Sequence, residues 1–190
     1  MSLESLSAQL NCCSNASTKK KALPPVELWD PPYCGEIDLQ IKADGNWFYN
    51  GSIFKRLSLV QLFASVLKRE VNENMDDYFL VTPVEKVKIS VEDVPFVLTQ
   101  WHWLDDVNPT TRVMQVSTSL GDEFILDAEH PLSICDNGHL YITVRRNLLA
   151  KVHRNVYYQW VELAQEVTTE KGTELVFSSA GCQFSLGVID

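Results

Sequence analysis

The sequence predicts an α+β fold that consists of two small, mostly antiparallel β-sheet domains related by duplication. Three observations lead to this prediction. The order strand–turn–strand–helix–strand occurs twice along the chain, hydrophobic residues make up 45% of it, and its 190 residues suffice for one large or two small domains. A single mixed α+β domain is the alternative, because units of this kind also recur by chance.

The first copy of the repeated unit spans residues 36 to 83 and begins with a hairpin. Apolar and polar residues alternate over 37–41, which indicates a strand with one buried face. Residues 43–46 read Ala-Asp-Gly-Asn and predict a tight turn, because Asp-Gly readily takes the positive φ that such turns need. The partner strand follows at residues 47–49.

A helix is expected next in the first copy. Ser58 and Gln61 have the spacing of a capping box, so the helix is predicted from Ser58 to about Arg69, with a strand after it at 78–81. The positions of its apolar side chains predict a buried face formed by Leu59, Phe63, Val66 and Leu67.

The second copy of the unit spans residues 131 to 179. It contains a short strand with Leu132 and Ile134, a turn at 136–138, a strand at 139–144, a helix from its cap Asn155 to Lys171-Gly172, and a closing strand at 174–177. We expect Leu148-Leu149-Ala150 to form a bend before this helix, and Trp160 and Leu163 to lie in the core. Strands at 87–89, 96–104, 112–117 and 123–127 are predicted between the two copies.

These patterns predict three segments along the chain. Residues 1–30 are expected to form a mobile or loosely docked tail, because they are rich in Ser, Asn and Lys and show no sustained period. An N-terminal α+β domain follows over 31–92. A β-barrel-like domain with one helix is expected over 93–190.

Composition and charge exclude several functional classes. Lys and Arg number 16 against 25 Asp and Glu, a net charge of −9, so we expect binding to neither nucleic acid nor an anionic membrane. No run of about 18 apolar residues and no signal peptide are present, which favours a cytoplasmic protein with reduced thiols. Four scattered His and the absence of standard catalytic motifs predict no metal, no cofactor and no enzymatic activity.

Two residue pairs have both a structural and a functional interpretation. Cys34 and Cys135 would be nucleophiles only beside a His, and we expect them to be small buried residues instead. Trp101 and Trp103 share one face of a predicted strand, with His102 on the other. A packed aromatic pair is favoured there over a base-stacking platform, because the chain is acidic.

One segment departs from the acidic average of the chain. Between Thr143 and Val161 there is no acidic residue, and the segment contains Arg145, Arg146, Lys151, His153 and Arg154. This cluster precedes a predicted helix start, where backbone amides and the helix dipole favour an anion. The alternative is that these side chains cover acids elsewhere on the surface.

The first copy also places basic residues, Lys55 and Arg56, before a predicted helix. Two such helix starts would form a cradle for phosphate oxygens, which arginine is well shaped to bind. The candidate ligand-binding residues are Arg56, Arg145 and Arg154 for phosphate, with Thr82 and Glu85 as polar partners at the end of a strand.

Several motifs together resemble a known bacterial family. They are Gly35, Asp44-Gly45-x-Trp47, Tyr49-x-Gly51-Ser52, Leu62-Phe63-x-x-Val66-Leu67, the run Tyr78 to Val87 that contains LVTPVEKV, Val91-Glu92-Asp93-x-Pro95-Phe96, His130-Pro131-Leu132 and Val144-Arg145. Across about residues 30 to 165 the chain resembles the family named domain of unknown function 1285 (DUF1285). Where members of that family carry Gly-Arg before the first helix, this chain has Phe54-Lys55-Arg56.

The resemblance implies two domains made by duplication, the C-terminal one loosely similar to pleckstrin-homology barrels. It also implies a site near the domain interface for a nucleotide-like molecule, and a role in signal transduction. No catalytic activity is attached to the family.

We therefore expect a non-enzymatic ligand-binding or sensory module that accepts a phosphate-bearing small molecule. The second hypothesis is a protein-interaction module that uses an exposed barrel edge or the strand around Trp101 and Trp103. A hydrolase or transferase acting on a phosphorylated substrate is the third, and it lacks a recognisable nucleophile or acid–base pair.

Overall fold

The computed structural model describes residues 23–71, 76–105, 112–135, 138–169 and 172–189. Within these ranges the protein is mostly β, with fifteen strands, two α-helices and one short 3₁₀ helix. The chain divides into two compact units, Met1–Pro95 (unit 1) and Phe96–Asp190 (unit 2). Residues 1–22 of the predicted tail lie outside the described residues, and Val26, further along that tail, is buried.

Unit 1 is built on one six-stranded sheet. Its elements are the 3₁₀ helix Val26–Leu28, β1 (Tyr33–Ile41), β2 (Trp47–Tyr49), β3 (Ser52–Ile53), α1 (Leu57–Ser65), β4 (Leu67–Val71), β5 (Asp76–Val81) and β6 (Lys86–Val91). The strand order is β3-β2-β1-β6-β5-β4, and every neighbouring pair is antiparallel except β1 and β6, which are parallel.

The predicted hairpin between β1 and β2 is confirmed. Gly45 has a φ of 83°, and the amide of Asn46 donates to a carboxylate oxygen of Asp44 at 2.9 Å. This side-chain bond replaces a backbone partner within the turn, which is the usual reason for Asp in such loops. Ile41 lies opposite Trp47 across the two strands, and both side chains are buried.

Helix α1 differs from its prediction at both ends. The N-cap is Arg56, whose side chain makes no capping hydrogen bond, and Ser58 lies inside the helix, so the predicted capping box is wrong. The helix ends at Ser65 because the chain from Leu67 onward pairs with β5, Leu67 lying opposite Leu80. Pairing with a distant strand overrides the local helical pattern that suggested Arg69 as the end.

The predicted core of unit 1 is largely confirmed. Phe63, Val66 and Leu67 are fully buried, whereas Leu59 is only partly buried. The ring of Phe63 stacks on that of Phe54, with the centroids 6.1 Å apart.

Unit 2 contains a six-stranded and a three-stranded sheet. Its elements are β7 (Phe96–Asp105), β8 (Val113–Thr118), β9 (Glu123–Ile125), β10 (Leu132–Ile134), β11 (Leu140–Arg145), β12 (Leu148–Val152), α2 (Arg154–Leu163), β13 (Gln165–Thr169), β14 (Gly172–Ser179) and β15 (Cys182–Ile189). The strand orders are β10-β11-β12-β7-β8-β9 and β13-β14-β15, and only the pair β12 and β7 is parallel.

Helix α2 is shorter than predicted. Its N-cap is His153 rather than Asn155, and it ends at Leu163 because the chain continues as β13 and pairs with β14. Residues 148–150 form part of β12 and not the predicted bend, since all three pair with β11 and Ala150 also pairs with Phe96 of β7. Trp160 is fully buried as predicted, with its ring 5.1 Å from that of Phe177, and Leu163 is partly buried.

Both predicted copies contain three antiparallel strands, a helix and two antiparallel strands, and in each case a third antiparallel strand follows directly after the copy. In unit 1 the two sets of three strands join in one sheet through the parallel pair β1 and β6. In unit 2 they belong to two different sheets, because β12 pairs instead with β7. The superposition of the two copies stays a prediction.

Candidate functional site

Three of the candidate ligand-binding residues belong to unit 1. Arg56 is exposed at the start of α1. The Thr82 side chain is buried, and its hydroxyl accepts from the amide of Glu85 at 3.0 Å and donates to the carbonyl of Glu85 at 3.3 Å. Thr82 therefore holds the turn between β5 and β6. Glu85 has one buried carboxylate oxygen without a hydrogen-bond partner among the described residues.

Arg145, in unit 2, is committed to a contact within the fold. Its guanidinium forms an ion pair with Asp122 in the turn between β8 and β9, and it lies 4.7 Å from the centre of the Phe96 ring. Burial lowers the pKa of Arg145, and the charge of Asp122 opposes that shift. For Arg145 the alternative interpretation of the basic cluster therefore applies, in which the basic side chains pair with acids elsewhere in the fold.

Arg154 lies in a different setting, at a cavity of about 320 Å³ where α2 begins. We call this the Arg154 cavity. Its polar lining residues are His139, Lys151, Arg154, Tyr157 and Tyr158, and its remaining lining residues are Gly138, Leu140 and Val152. No carboxylate is present in this set of described residues, so the lining is basic and aromatic. Arg145 is not part of it.

The guanidinium of Arg154 is held by a neighbour one helical turn away. Its Nε and one terminal nitrogen both donate to the hydroxyl oxygen of Tyr158, at 3.0 and 2.8 Å. The guanidinium carbon also lies 5.3 Å from the centre of the Tyr158 ring. The rings of Tyr157 and Tyr158 are 5.7 Å apart and together form an aromatic wall.

The charges around Arg154 are unusual for so acidic a chain. Six of the described basic residues form ion pairs with carboxylates: Lys42, Lys68, Arg69, Lys86, Lys88 and Arg145. Arg154 makes no ion pair with any described carboxylate. An arginine beside a cavity attracts an anion when no described carboxylate balances its charge.

The N-terminus of α2 adds a favourable field. The His153 side chain accepts from the amide of Asn155 at 3.2 Å and so caps one of the free amides. The helix dipole places partial positive charge at this end, next to Arg154.

Three of the polar residues that line this cavity were not assigned from the sequence: His139, Tyr157 and Tyr158. Tyr157 and Tyr158 follow Arg154 by three and four positions, a spacing that places helical side chains on one face. Helical periodicity is therefore the signal that could have identified the two tyrosines. His139 joins them because β11 lies beside β12, with Tyr141 opposite Lys151, a pairing that the predicted bend at 148–150 left out.

A second cavity of about 450 Å³ in unit 2 has a different lining. Its lining residues are Asp127, Ala128, Pro131, Leu132, Ile134, Cys182, Gln183, Phe184 and Ser185, a described set that contains no basic residue. Burial alone would raise the pKa of Asp127, but hydrogen bonds from His130 and from the amide of Glu129 outweigh it and lower the pKa. An ionised carboxylate without a neighbouring cation in the lining makes this cavity unsuitable for a phosphate.

The predicted aromatic pair on β7 is confirmed as a packed pair. The rings of Trp101 and Trp103 meet edge to face with their centroids 5.7 Å apart. The indole nitrogen of Trp101 donates to Gln159 at 2.7 Å, and the guanidinium of Arg112 lies 4.1 Å from the centre of the Trp103 ring. Both tryptophans are partly exposed.

The prediction that Cys34 and Cys135 are buried is wrong, because both are exposed. Cys34 lies near the start of β1, where the first residues of the strand face outward, and Cys135 follows the last residue of β10. In the described ranges no group of three or more His, Cys, Asp or Glu side chains is arranged to hold a metal ion. None of the helices described there is long and apolar enough to cross a bilayer.

These features define a mostly β protein of two units, the second of which carries a small basic cavity at a helix start. Residues 24–94 match the family model "Domain of unknown function (DUF1285), N-terminal domain", and residues 95–186 match "Protein of unknown function (DUF1285), C-terminal domain". The chain belongs to the DUF1285 family, as its motifs indicated. A search of curated proteins found no match.

Two solved structures of the family are similar to this chain. The crystal structure of a DUF1285 family protein from Silicibacter pomeroyi DSS-3, at 2.50 Å resolution, is 32% identical, with a TM-score of 0.76 and 95% of each chain covered. That of a DUF1285 family protein from Shewanella baltica OS155, at 1.40 Å, is 31% identical with a TM-score of 0.50. The latter match covers 65% of this chain and 90% of the other.

Proposed function

We propose that this protein is a non-enzymatic sensory module that binds a phosphate-bearing small molecule in the Arg154 cavity. The observation that carries the proposal is the position of Arg154, which faces a cavity without a described carboxylate in a chain of net charge −9. The proposed role in signal transduction follows from the resemblance stated above, and a sensor of this kind needs a ligand site but no catalytic group.

The cavity supplies three kinds of interaction with such a ligand. Arg154 offers a planar set of donors that matches two phosphate oxygens, and Lys151 adds a second positive charge. The aromatic wall of Tyr157 and Tyr158 and the side chains of Leu140 and Val152 provide apolar surface for the rest of the molecule. A small organic phosphate, with a nucleotide as one example, fits this combination.

The other candidate residues contribute differently to the proposal. Arg145 fixes the end of β11 to the β8–β9 turn, and Thr82 closes the turn between β5 and β6, so both are occupied within their own units. Arg56 makes no ion pair with a described carboxylate and stays a candidate for anion binding in unit 1. The proposal therefore rests on Arg154.

Calorimetric titration of the full chain with a panel of nucleoside mono-, di- and triphosphates tests the proposal. The variant Arg154→Ala should bind the best member more weakly by about 1.5–3 kcal/mol, the scale of a hydrogen bond to a charged group. Lys55→Ala removes an exposed charge in unit 1 and serves as the control, which should bind as the wild type does. No binding of any member at millimolar concentration, or equal binding by Arg154→Ala, contradicts the proposal.

The second candidate function is that of a protein-interaction module. Arg112 favours it, because its guanidinium lies over the partly exposed Trp103 and makes no ion pair with a described carboxylate. Arginine and tryptophan are the residues that most often dominate the binding energy of protein interfaces.

Capture of a partner on the immobilised chain separates the two functions. A protein retained by the wild type and lost with Arg112→Ala, in the absence of phosphate-ligand binding, favours the interaction module. Retention that does not depend on Arg112 argues against this surface.

A further inference from the structure

The hydroxyl of Tyr158 occupies the edge of Arg154 that an oxyanion would use. Nε–H and the neighbouring terminal N–H of a guanidinium point the same way, and this edge accommodates two oxygens of a phosphate or carboxylate. In the protein both groups donate to a single phenol oxygen, at 3.0 and 2.8 Å. The acceptor is neutral and satisfies two charge-assisted donors at once.

We infer that the Tyr158 hydroxyl is a place-holder for a phosphate oxygen, and that the ligand binds by displacing it from Arg154. This inference rests on the proposed function and assigns Tyr158 as a residue that sets the affinity of that site. Because an oxyanion is a stronger acceptor than a phenol, the exchange favours the ligand. The cost of the exchange is the loss of the two bonds between Arg154 and Tyr158.

The surroundings of Tyr158 allow this exchange without a change of fold. Tyr158 is 49% exposed, so its hydroxyl can turn to water once the ligand has replaced it. The guanidinium also lies over the aromatic ring, and this contact does not depend on the hydroxyl. Removal of the hydroxyl alone should therefore leave Arg154 beside the cavity with its donor edge unoccupied.

The variant Tyr158→Phe isolates the hydroxyl, and inorganic phosphate is the probe because it is small enough to need only the donor edge. Tyr158→Phe should bind inorganic phosphate about 2- to 10-fold more tightly than the wild type, because the ligand no longer has to break the two bonds between Arg154 and the half-exposed hydroxyl. This change corresponds to about 0.4–1.4 kcal/mol. Tyr33→Phe, which removes an exposed phenol hydroxyl in unit 1 outside the cavity lining, should bind phosphate as the wild type does.

The Nε–H resonance of Arg154 reports the exchange directly. This resonance is identified in NMR spectra of the full chain by its absence in Arg154→Ala. In the wild type it should shift when phosphate is added. It should reach the same final position in Tyr158→Phe at a lower phosphate concentration. If Tyr158 had only a structural role, the Arg154 resonance would not reach the same final position in the two proteins at different phosphate concentrations.

The outcomes distinguish the inference from the proposed function. If phosphate binds the wild type through Arg154 but binds Tyr158→Phe equally or more weakly, the place-holder role is overturned and the proposed function stands. If phosphate binds wild type and Arg154→Ala alike, the proposed function fails and the inference fails with it. If phosphate binds neither while a nucleotide of the panel binds through Arg154, only the inference fails.

Discussion

Two arginines of one basic cluster, nine positions apart, have opposite surroundings in this protein. Arg145 is partly buried against Phe96 and paired with Asp122, and Arg154 is exposed at a cavity without a described acid in its lining. Burial makes an unpaired charge expensive, so Arg145 requires its partner, whereas water or a ligand can satisfy Arg154. These surroundings give Arg145 a structural role and leave Arg154 as the candidate for ligand binding.

Replacement of Asp122 by Ala tests the structural assignment of Arg145. The variant removes the carboxylate that faces a largely buried guanidinium, and we expect a loss of about 3 kcal/mol in the free energy of unfolding, the lower end of the range for broken buried pairs. The lower end applies because the Asp122 side chain stays 23% exposed. Urea unfolding of the full chain measures the change.

The control for Asp122→Ala is Glu123→Ala, which removes the adjacent exposed acid. Among the described residues its side chain accepts a hydrogen bond only from Gln115, at 3.2 Å and at an exposed position, so its loss should change the unfolding free energy by less than about 0.5 kcal/mol. Equal effects of the two substitutions would show that Arg145 does not depend on Asp122.

At the scale of elements, α1 is held by packing rather than by its ends. It has nine residues, too few for a stable isolated helix, and its N-cap makes no side-chain hydrogen bond. Its buried residues Val60, Phe63 and Ala64 therefore provide most of its stability.

Truncation of Phe63 to Ala should destabilise the protein by about 3–5 kcal/mol, because a fully buried aromatic side chain that stacks on Phe54 is lost. Thermal or urea unfolding measures the loss. Ser58→Ala lies on the exposed side of the same helix, makes no cap, and should be nearly neutral. A loss under about 1 kcal/mol for Phe63→Ala would mean that this face does not support the helix.

The N-cap of α1 is a position where stability can be gained. Arg56→Asp supplies a side-chain acceptor for the first free amides and an acid at the positive end of the helix, so we expect a gain of about 1 kcal/mol in the free energy of unfolding. Lys55→Asp makes the same charge change one position outside the cap and should give a smaller gain. A loss of stability in Arg56→Asp would contradict the assignment of Arg56 as the N-cap.

At the scale of the whole molecule, the sequence predicted elements whose signals are local. The alternation over 37–41 and the Asp44-Gly45 turn predicted the β1–β2 hairpin. The number of predicted strands indicated that the protein is mostly β. The strands β4 and β13, directly after the two helices, were missed. Both exist because they pair with a following strand, a contact that outweighs the helical preference of Lys, Glu and Gln.

The candidate site was predictable as a cluster but not residue by residue. The basic segment before α2 stands out in an acidic chain, and it does contain Arg154 and Lys151. Which arginine meets an acid depends on the β8–β9 turn, 23 positions before Arg145, and local sequence carries no sign of that contact. His139 was missed for a different reason: its place depends on the hairpin of β11 and β12, and residues 148–150 were predicted to form a bend instead of a strand.

A crystal structure of the full chain grown with the tightest-binding nucleoside phosphate of the panel tests the central claim most directly. The account predicts a phosphoryl group within hydrogen-bond distance of the Arg154 guanidinium, with the Tyr158 hydroxyl displaced from that edge. A phosphate bound elsewhere, with Arg154 still donating to Tyr158, would contradict it.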